Sequence, residues 1–225
     1  MKTPFLIITI FMFSVSLISQ TSFDSPKFLA GGTDKAFSVC FSDLNNNGYQ
    51  DIICSSDAGS KISWHYNLGN GEFGSQNSIS TTFQDAWKII SFDLDGDHKM
   101  DLLTGSYNGG LAWYKNEGDG VFSPRITITN NNASNITSIN AIDLDNDSDL
   151  DILFSSFDTG RIAWIENQGG GILGSQQIIT SQAWGTTSTH VKDMDNDGDL
   201  DIFYSALFTS KLSWHENLGN GNFWR

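Results

Sequence analysis

Four short acidic stretches carry the strongest chemical signal in this chain of 225 residues. They read DLNNNGYQD (Asp43 to Asp51), DLDGDHKMD (Asp93 to Asp101), DLDNDSDLD (Asp143 to Asp151) and DMDNDGDLD (Asp193 to Asp201), and they start 50 residues apart. Oxygen donors at positions 1, 3, 5 and 9 of a tight loop suit a hard dication such as Ca²⁺, which takes about six to eight oxygens at roughly 2.3–2.6 Å. In the third stretch the expected ligands are Asp143, Asp145, Asp147 and Asp151, with the backbone carbonyl of Asp149 at position 7. The fourth offers Asp193, Asp195, Asp197 and Asp201 with the carbonyl of Asp199, and the second offers Asp93, Asp95, Asp97 and Asp101 with that of Lys99. The first keeps Asp43 and Asp51 but has Asn45 and Asn47, so it retains oxygens while losing two charges. Three or four calcium ions are expected, the first site being the weakest. Without a cation, so many carboxylates would repel one another. Position 6 favours Gly for a sharp turn, supplied by Gly48 and Gly198 but by His98 and Ser148 in the other two stretches. An EF-hand is excluded, because position 12 carries Cys54, Thr104, Phe154 and Tyr204 where a bidentate Glu is needed. All-oxygen donors disfavour zinc. Asx-rich turns without metal are the plainer alternative.

A second motif follows each loop at a nearly fixed distance: WHYNLGNGEF from Trp64, WYKNEGDGVF from Trp113, WIENQGGGIL from Trp164 and WHENLGNGNF from Trp214. Between the motifs lie short runs of β-branched and aromatic residues, broken by Gly, Asn, Asp and Ser. The first unit offers strands at Phe37 to Ser42, Ile52 to Ser55, Ile62 to Asn67 and Phe73 to Ile79. Four short antiparallel strands in a repeat of this length predict an all-β chain, a β-propeller of four blades. The domain runs over 23–225, with repeats at about 23–73, 73–122, 122–173 and 173–225. The last unit ends as its outer strand would begin, and Phe23 to Ala30 supplies a spare one. That phase fits either a closed four-blade ring or part of a larger one.

The acidic loop together with the W-x-x-N-x-G-x-G-x-F turn resembles FG-GAP-like repeats of the VCBS type, and more distantly the calcium-loop blades of integrin α-subunit propellers. The resemblance spans Phe23 to Phe223. It implies that the acidic loop joins the two inner strands of a blade and holds Ca²⁺.

Residues that recur in every unit read as framework, and those that break the repeat as candidates for function. Trp64, Trp113, Trp164 and Trp214 are therefore assigned to packing between blades, and Asn67, Asn116, Asn167 and Asn217 to a turn. The aromatics Phe83, Trp87, Tyr107, Phe157, Trp184 and Phe208 do not recur. They fall in connections opposite the acidic loops, with Asp57, Gln84, Asn108, Asp158 and Arg161 nearby. Trp87, Tyr107, Phe157 and Trp184 are the candidate ligand contacts for a carbohydrate or protein partner. His65, His98, His190 and His215 share no recurrent acid or nucleophile, so the expectation is a binding module and not an enzyme. The alternative is part of a calcium-dependent polysaccharide-degrading enzyme.

Net charge is −14, yet 16 of the 26 acidic residues sit in the four loops, and the remainder nearly balance 12 Lys and Arg. No basic patch exists for nucleic acid. An apolar run from Phe5 to Ile18 after Lys2 reads as a signal peptide over 1–22, which implies secretion. No later stretch is apolar enough to span a membrane. Cys40 and Cys54 flank the first loop symmetrically, so a hairpin would set them opposite one another, as a disulfide or as two buried thiols.

Overall fold

The computed structural model describes residues 36–56, 61–80, 86–129 and 133–224. The leader and the spare N-terminal strand read from the sequence lie outside them, as do Asp57, Phe83 and Gln84. Every regular element among the described residues is a β-strand, and no helix is long and apolar enough to cross a membrane.

The strands group into four antiparallel blades. The first contains β1 (Ala36–Ser42), β2 (Asp51–Ser56), β3 (Lys61–Asn67) and β4 (Phe73–Ser80), hydrogen-bonded in chain order. The second has β5 (Ala86–Phe92), β6 (Asp101–Ser106) and β7 (Leu111–Tyr114), a small hairpin of β8 (Asn116–Gly118) and β9 (Val121–Phe122), and β10 (Ile126–Thr127) as its outer strand. The third comprises β11 (Ile136–Ile142), β12 (Asp151–Ser156), β13 (Arg161–Ile165) and β14 (Gln177–Thr180). The fourth keeps only β15 (Thr186–Lys192), β16 (Asp201–Ala206) and β17 (Lys211–His215), so it lacks an outer strand among the described residues. These bounds lie within a residue or so of the four strands read from the first repeat. This is a β-propeller architecture, whose sheets bury both faces against their neighbours.

Three apolar clusters hold the blades together. Leu44, Ile53, Ile62 and Trp64 of the first blade pack with Ile89, Leu102 and Tyr114 of the second. Leu94, Leu103 and Trp113 meet Ile136, Ile139 and Phe154, and Leu153, Ile162 and Trp164 meet Ile202 and Tyr204. At each seam the tryptophan of one blade lies on a turn glycine of the next. A Cβ on Gly120 would fall 2.3 Å from Trp64, one on Gly171 2.9 Å from Trp113, and one on Gly221 2.3 Å from Trp164. Only Gly allows that approach, and all three also have positive φ.

The recurring asparagines do more than turn the chain. Asn116, Asn167 and Asn217 each donate a side-chain N–H across the seam, to the carbonyls of Leu44 (2.8 Å), Leu94 (2.8 Å) and Leu144 (2.9 Å). Each also donates to a carbonyl of its own blade, on Met100, Leu150 and Leu200.

Cys40 pairs with Ile53 and Cys54 with Val39, one step out of register, so the two side chains leave opposite faces of the sheet. Both are free thiols, which corrects the face-to-face arrangement that their symmetric spacing implied. Burial, with Cys54 nearby, pushes the Cys40 thiol up to about 12.

Candidate metal centres and the aromatic edge

Each acidic loop connects the first and second strands of its blade, and its ninth residue is the first residue of the second strand. Asp51, Asp101, Asp151 and Asp201 at that position are fully buried. One oxygen of each accepts from the backbone N–H of the loop's second residue: Leu44 (3.1 Å), Leu94 (3.3 Å), Leu144 (2.8 Å) and Met194 (3.0 Å). The other accepts from the recurring asparagine's backbone, at Asn67 (2.7 Å), Asn116 (2.7 Å), Asn167 (2.9 Å) and Asn217 (2.9 Å). Burial pushes the Asp101 and Asp151 carboxyls up to about 6, against the pull of these donors, and raises Asp51.

The turns themselves are built by the first aspartate. Asp93 accepts from the N–H groups of Gly96 (2.8 Å), Asp97 (3.1 Å) and His98 (2.8 Å), and Asp43, Asp143 and Asp193 make corresponding contacts. Position 6 has positive φ in all four loops, at Gly48, His98, Ser148 and Gly198 (86°, 65°, 79° and 98°). Position 4 does so as well, at Asn46, Gly96, Asn146 and Asn196. That second left-handed residue was missed in the sequence, although Asn and Gly are the residues that adopt it most readily.

Three carboxylate clusters result, each with its oxygens within 4.8 Å of one another: Asp93, Asp95 and Asp101; Asp143, Asp145 and Asp151; Asp193, Asp195 and Asp197. The first loop, with Asn45 and Asn47, forms no such cluster among the described residues, and its Asn47 amide donates instead to the carbonyl of Asn67 (3.1 Å). Asp147 accepts from the N–H of Asp149 (2.9 Å). The Asp199 side chain is engaged across the seam by the Asn146 amide at 2.7 Å.

The second and third clusters differ in one neighbour. Lys115, two residues after Trp113, hydrogen-bonds Asp95 and lies 3.4 Å from Asp97. Lys99 adds a 2.9 Å bond to Asp97, which holds that carboxyl below its usual range. Asp95 in turn raises the Lys115 ammonium. The same repeat position holds Glu166 in the third unit and Glu216 in the fourth. Asp145 is raised by burial first, then by Asp147, with Glu166 and Asp143 adding to it. Neither Lys115 nor Glu166 was singled out in the sequence, because both lie on another strand; comparing the residue two after each Trp would have found them. The Oδ1 atoms of Asp95 and Asp145 are buried and make no hydrogen bond. An all-oxygen donor set with an unshared buried carboxylate oxygen fits a hard cation, and in the second loop an ammonium already fills that electrostatic role.

At the opposite ends of the strands the aromatics form two groups. Trp87 stacks on Phe37 of the first blade at 4.2 Å and lies 5.9 Å from Tyr107. Phe157 and Phe208 meet edge to face at 5.1 Å, across the third and fourth blades, while Trp184 covers Gly160. Tyr107, Trp184 and Phe208 remain exposed.

The family model for the FG-GAP-like repeat matches three times, over residues 43–104, 93–154 and 143–204. The chain belongs to the FG-GAP-like repeat family. Each match begins at the first aspartate of one loop and runs past the next, so the repeat includes the seam as well as the blade. An Agrocybe aegerita lectin, whose structure addresses recognition of non-reducing terminal N-acetylglucosamine, is 22% identical, with a TM-score of 0.60. The match covers 82% of this chain and 50% of the lectin. Two structures of BBS1N in complex with ARL6DN, soaked with lead and with mercury, are 13% and 12% identical over 80% of this chain and 56% and 57% of theirs, each with a TM-score of 0.53. At these identities the likeness is one of fold, and the FG-GAP-like chain spans about half the length of the solved structures it matches. No curated protein matches it.

Proposed function

We propose that this FG-GAP-like chain is a secreted, calcium-stabilised recognition module that binds carbohydrate at its aromatic edge. The observation that carries the calcium reading is the third loop, where Asp143, Asp145 and Asp151 converge and Asp145 Oδ1 is buried without a partner. Calcium fills the third and fourth loops first; Lys115 competes for the second, and the amides of Asn45 and Asn47 weaken the first. The ion is structural, since it would neutralise loops that are tied to the seams. Ligand contact falls to Trp87, Tyr107, Phe157 and Trp184, of which Tyr107 and Trp184 offer the most accessible ring area. Flat apolar rings beside polar groups suit the faces of sugar rings. The lectin likeness supports a carbohydrate ligand, while the likeness to BBS1N in complex with ARL6DN supports a protein partner as the second reading. The apolar run after Lys2 supports export, and the binding reading over catalysis rests on four histidines that share no recurrent acid or nucleophile in the sequence. A glycan array probed in calcium and in EGTA tests the reading, alongside Trp184→Ala and Tyr107→Ala. Binding that needs calcium and drops at least tenfold in either variant supports it. Uniformly blank arrays in calcium, or turnover of a bound polysaccharide, would overturn it.

A further inference from the structure

Among the described residues, the two ends of the blade series are matching halves of one seam, and both are exposed. Within the series, the second residue of each acidic loop is buried by the following blade: Leu44, Leu94 and Leu144 are 1–2% exposed, whereas Met194 is 59% exposed. The same holds two residues before each Trp, where Ile62, Leu111 and Ile162 are fully buried and Leu212 is 82% exposed. Trp214 is 44% exposed, against 8% or less for the other three tryptophans. On the opposite face, Val39 of β1 is 56% exposed, while its repeat counterparts Ile89, Ile139 and Thr189 are buried by the preceding blade. Gly71 occupies the position of Gly120, Gly171 and Gly221, but a Cβ there would meet nothing within 4 Å. Among the described residues the side-chain amide of Asn67 donates only to the Gln50 carbonyl of its own blade, where its counterparts also reach back to the blade before.

We propose that two copies of this chain associate head to tail, the fourth blade of one against the first blade of the other. Trp214 then enters over Gly71 of the partner copy, Val39 of that copy covers Leu212, and its Asn67 amide reaches the Met194 carbonyl. The occupant is a second copy because each open face carries the inner-strand and turn groups that three internal seams already join, the outer strand of the fourth blade excepted, so the contact continues an established interface. Nothing new has to be evolved on either side. Two arcs of four blades complete eight, within the range of closed propellers. A two-fold arrangement uses both seams at once and leaves no open face, which distinguishes it from an unclosed head-to-tail filament. This proposal rests on the repeat geometry and is independent of calcium or sugar binding.

Sedimentation velocity on the full chain, from 1 to 100 µM, tests it with Leu212→Asp and Val39→Asp, both at exposed sites that leave the monomer's own seams untouched. The wild type is expected to sediment at twice the chain mass. Each variant alone should be monomeric, with association weakened at least about 30-fold, the loss of one interface hot spot. Mixing the two variants restores one intact seam and should give a 1:1 complex that neither forms alone. Circular dichroism unchanged from wild type confirms that both variants fold. Gly71→Ala, free of any clash in the single chain, should dissociate the pair as well. A monomeric wild type at 100 µM, as expected if other parts of the same chain cover these faces, would overturn the proposal. So would an oligomer that survives both Asp variants, or a mixture that fails to associate.

Discussion

Replacing Lys115 with Glu, the residue found at this position in the third and fourth repeats, should convert the second loop into a calcium site of the same kind. In the present structure the Lys115 ammonium hydrogen-bonds Asp95 and sits 3.4 Å from Asp97, so it lies where a cation bound by Asp93, Asp95 and Asp101 would feel it directly. The substitution changes the local charge by two, opposite a doubly charged ion. Both Lys115 and Asp97 reach solvent, so the dielectric of water is the appropriate screen. Four unit-charge interactions at about 5 Å in water come to about 3 kcal/mol, which is more than a hundredfold in Kd. Without calcium the sign reverses: removing the internal counter-ion costs roughly 1 kcal/mol for a partly exposed pair, and the added carboxylate adds repulsion. Lys115→Glu should therefore melt below wild type in EGTA and above it in millimolar calcium, and calorimetric titration should gain one ion per chain. Lys115→Met should fall between the two. If Lys115→Glu leaves both stoichiometry and affinity unchanged, the idea that this side chain stands in for the metal is refuted.

Further outcomes follow from the same geometry. Asp101 and Asp151 have folded values of about 6, above the unfolded 3.8, so the native state holds their protons more tightly. In EGTA, stability should rise as pH falls through 6 toward 4, by at most roughly 3 kcal/mol per group; a urea midpoint at pH 5 no higher than at pH 7.5 would contradict this. Ser148, at φ 79°, is a left-handed residue with a side chain, so Ser148→Gly should stabilise the calcium-free chain by about 0.5–1 kcal/mol in denaturant melts. Cys40, with its thiol pushed up to about 12, should resist a disulfide-exchange reagent at pH 8 in the native state, and intact mass after alkylation in denaturant should report two free thiols.

The parts of this molecule that repeat locally were legible in its sequence, and the parts that depend on a neighbour were not. Strands such as Lys61–Asn67 show in the run of β-branched and aromatic residues, and the loops show in the alternation of aspartates. The packing role of Trp64, Trp113 and Trp164 follows from recurrence alone. What escaped notice acts across strands or blades. Lys115 reaches the second loop from β7's far end, 20 residues beyond Asp95, and the seam bond of Asn167 spans 73 residues to Leu94. The cysteine spacing was misleading for a local reason, since symmetric distances from a loop of this length fall one step out of register. Asp97 carries the right residue type for ligation, but its oxygens are engaged by the Lys99 N–H and by the ammonium groups of Lys99 and Lys115.

The ninth residue of each loop joins parts that a sequence diagram keeps separate. Asp151 holds the entrance of its loop through Leu144 and the turn after β13 through Asn167, and the Asn167 side chain grips the Leu94 carbonyl of the blade before. One carboxylate thus works like a rivet through three plates. Loosening it by substitution would be felt as slack in the joint between blades, and the stiffness of the three joints is set by three such buried oxygen pairs, those of Asp101, Asp151 and Asp201.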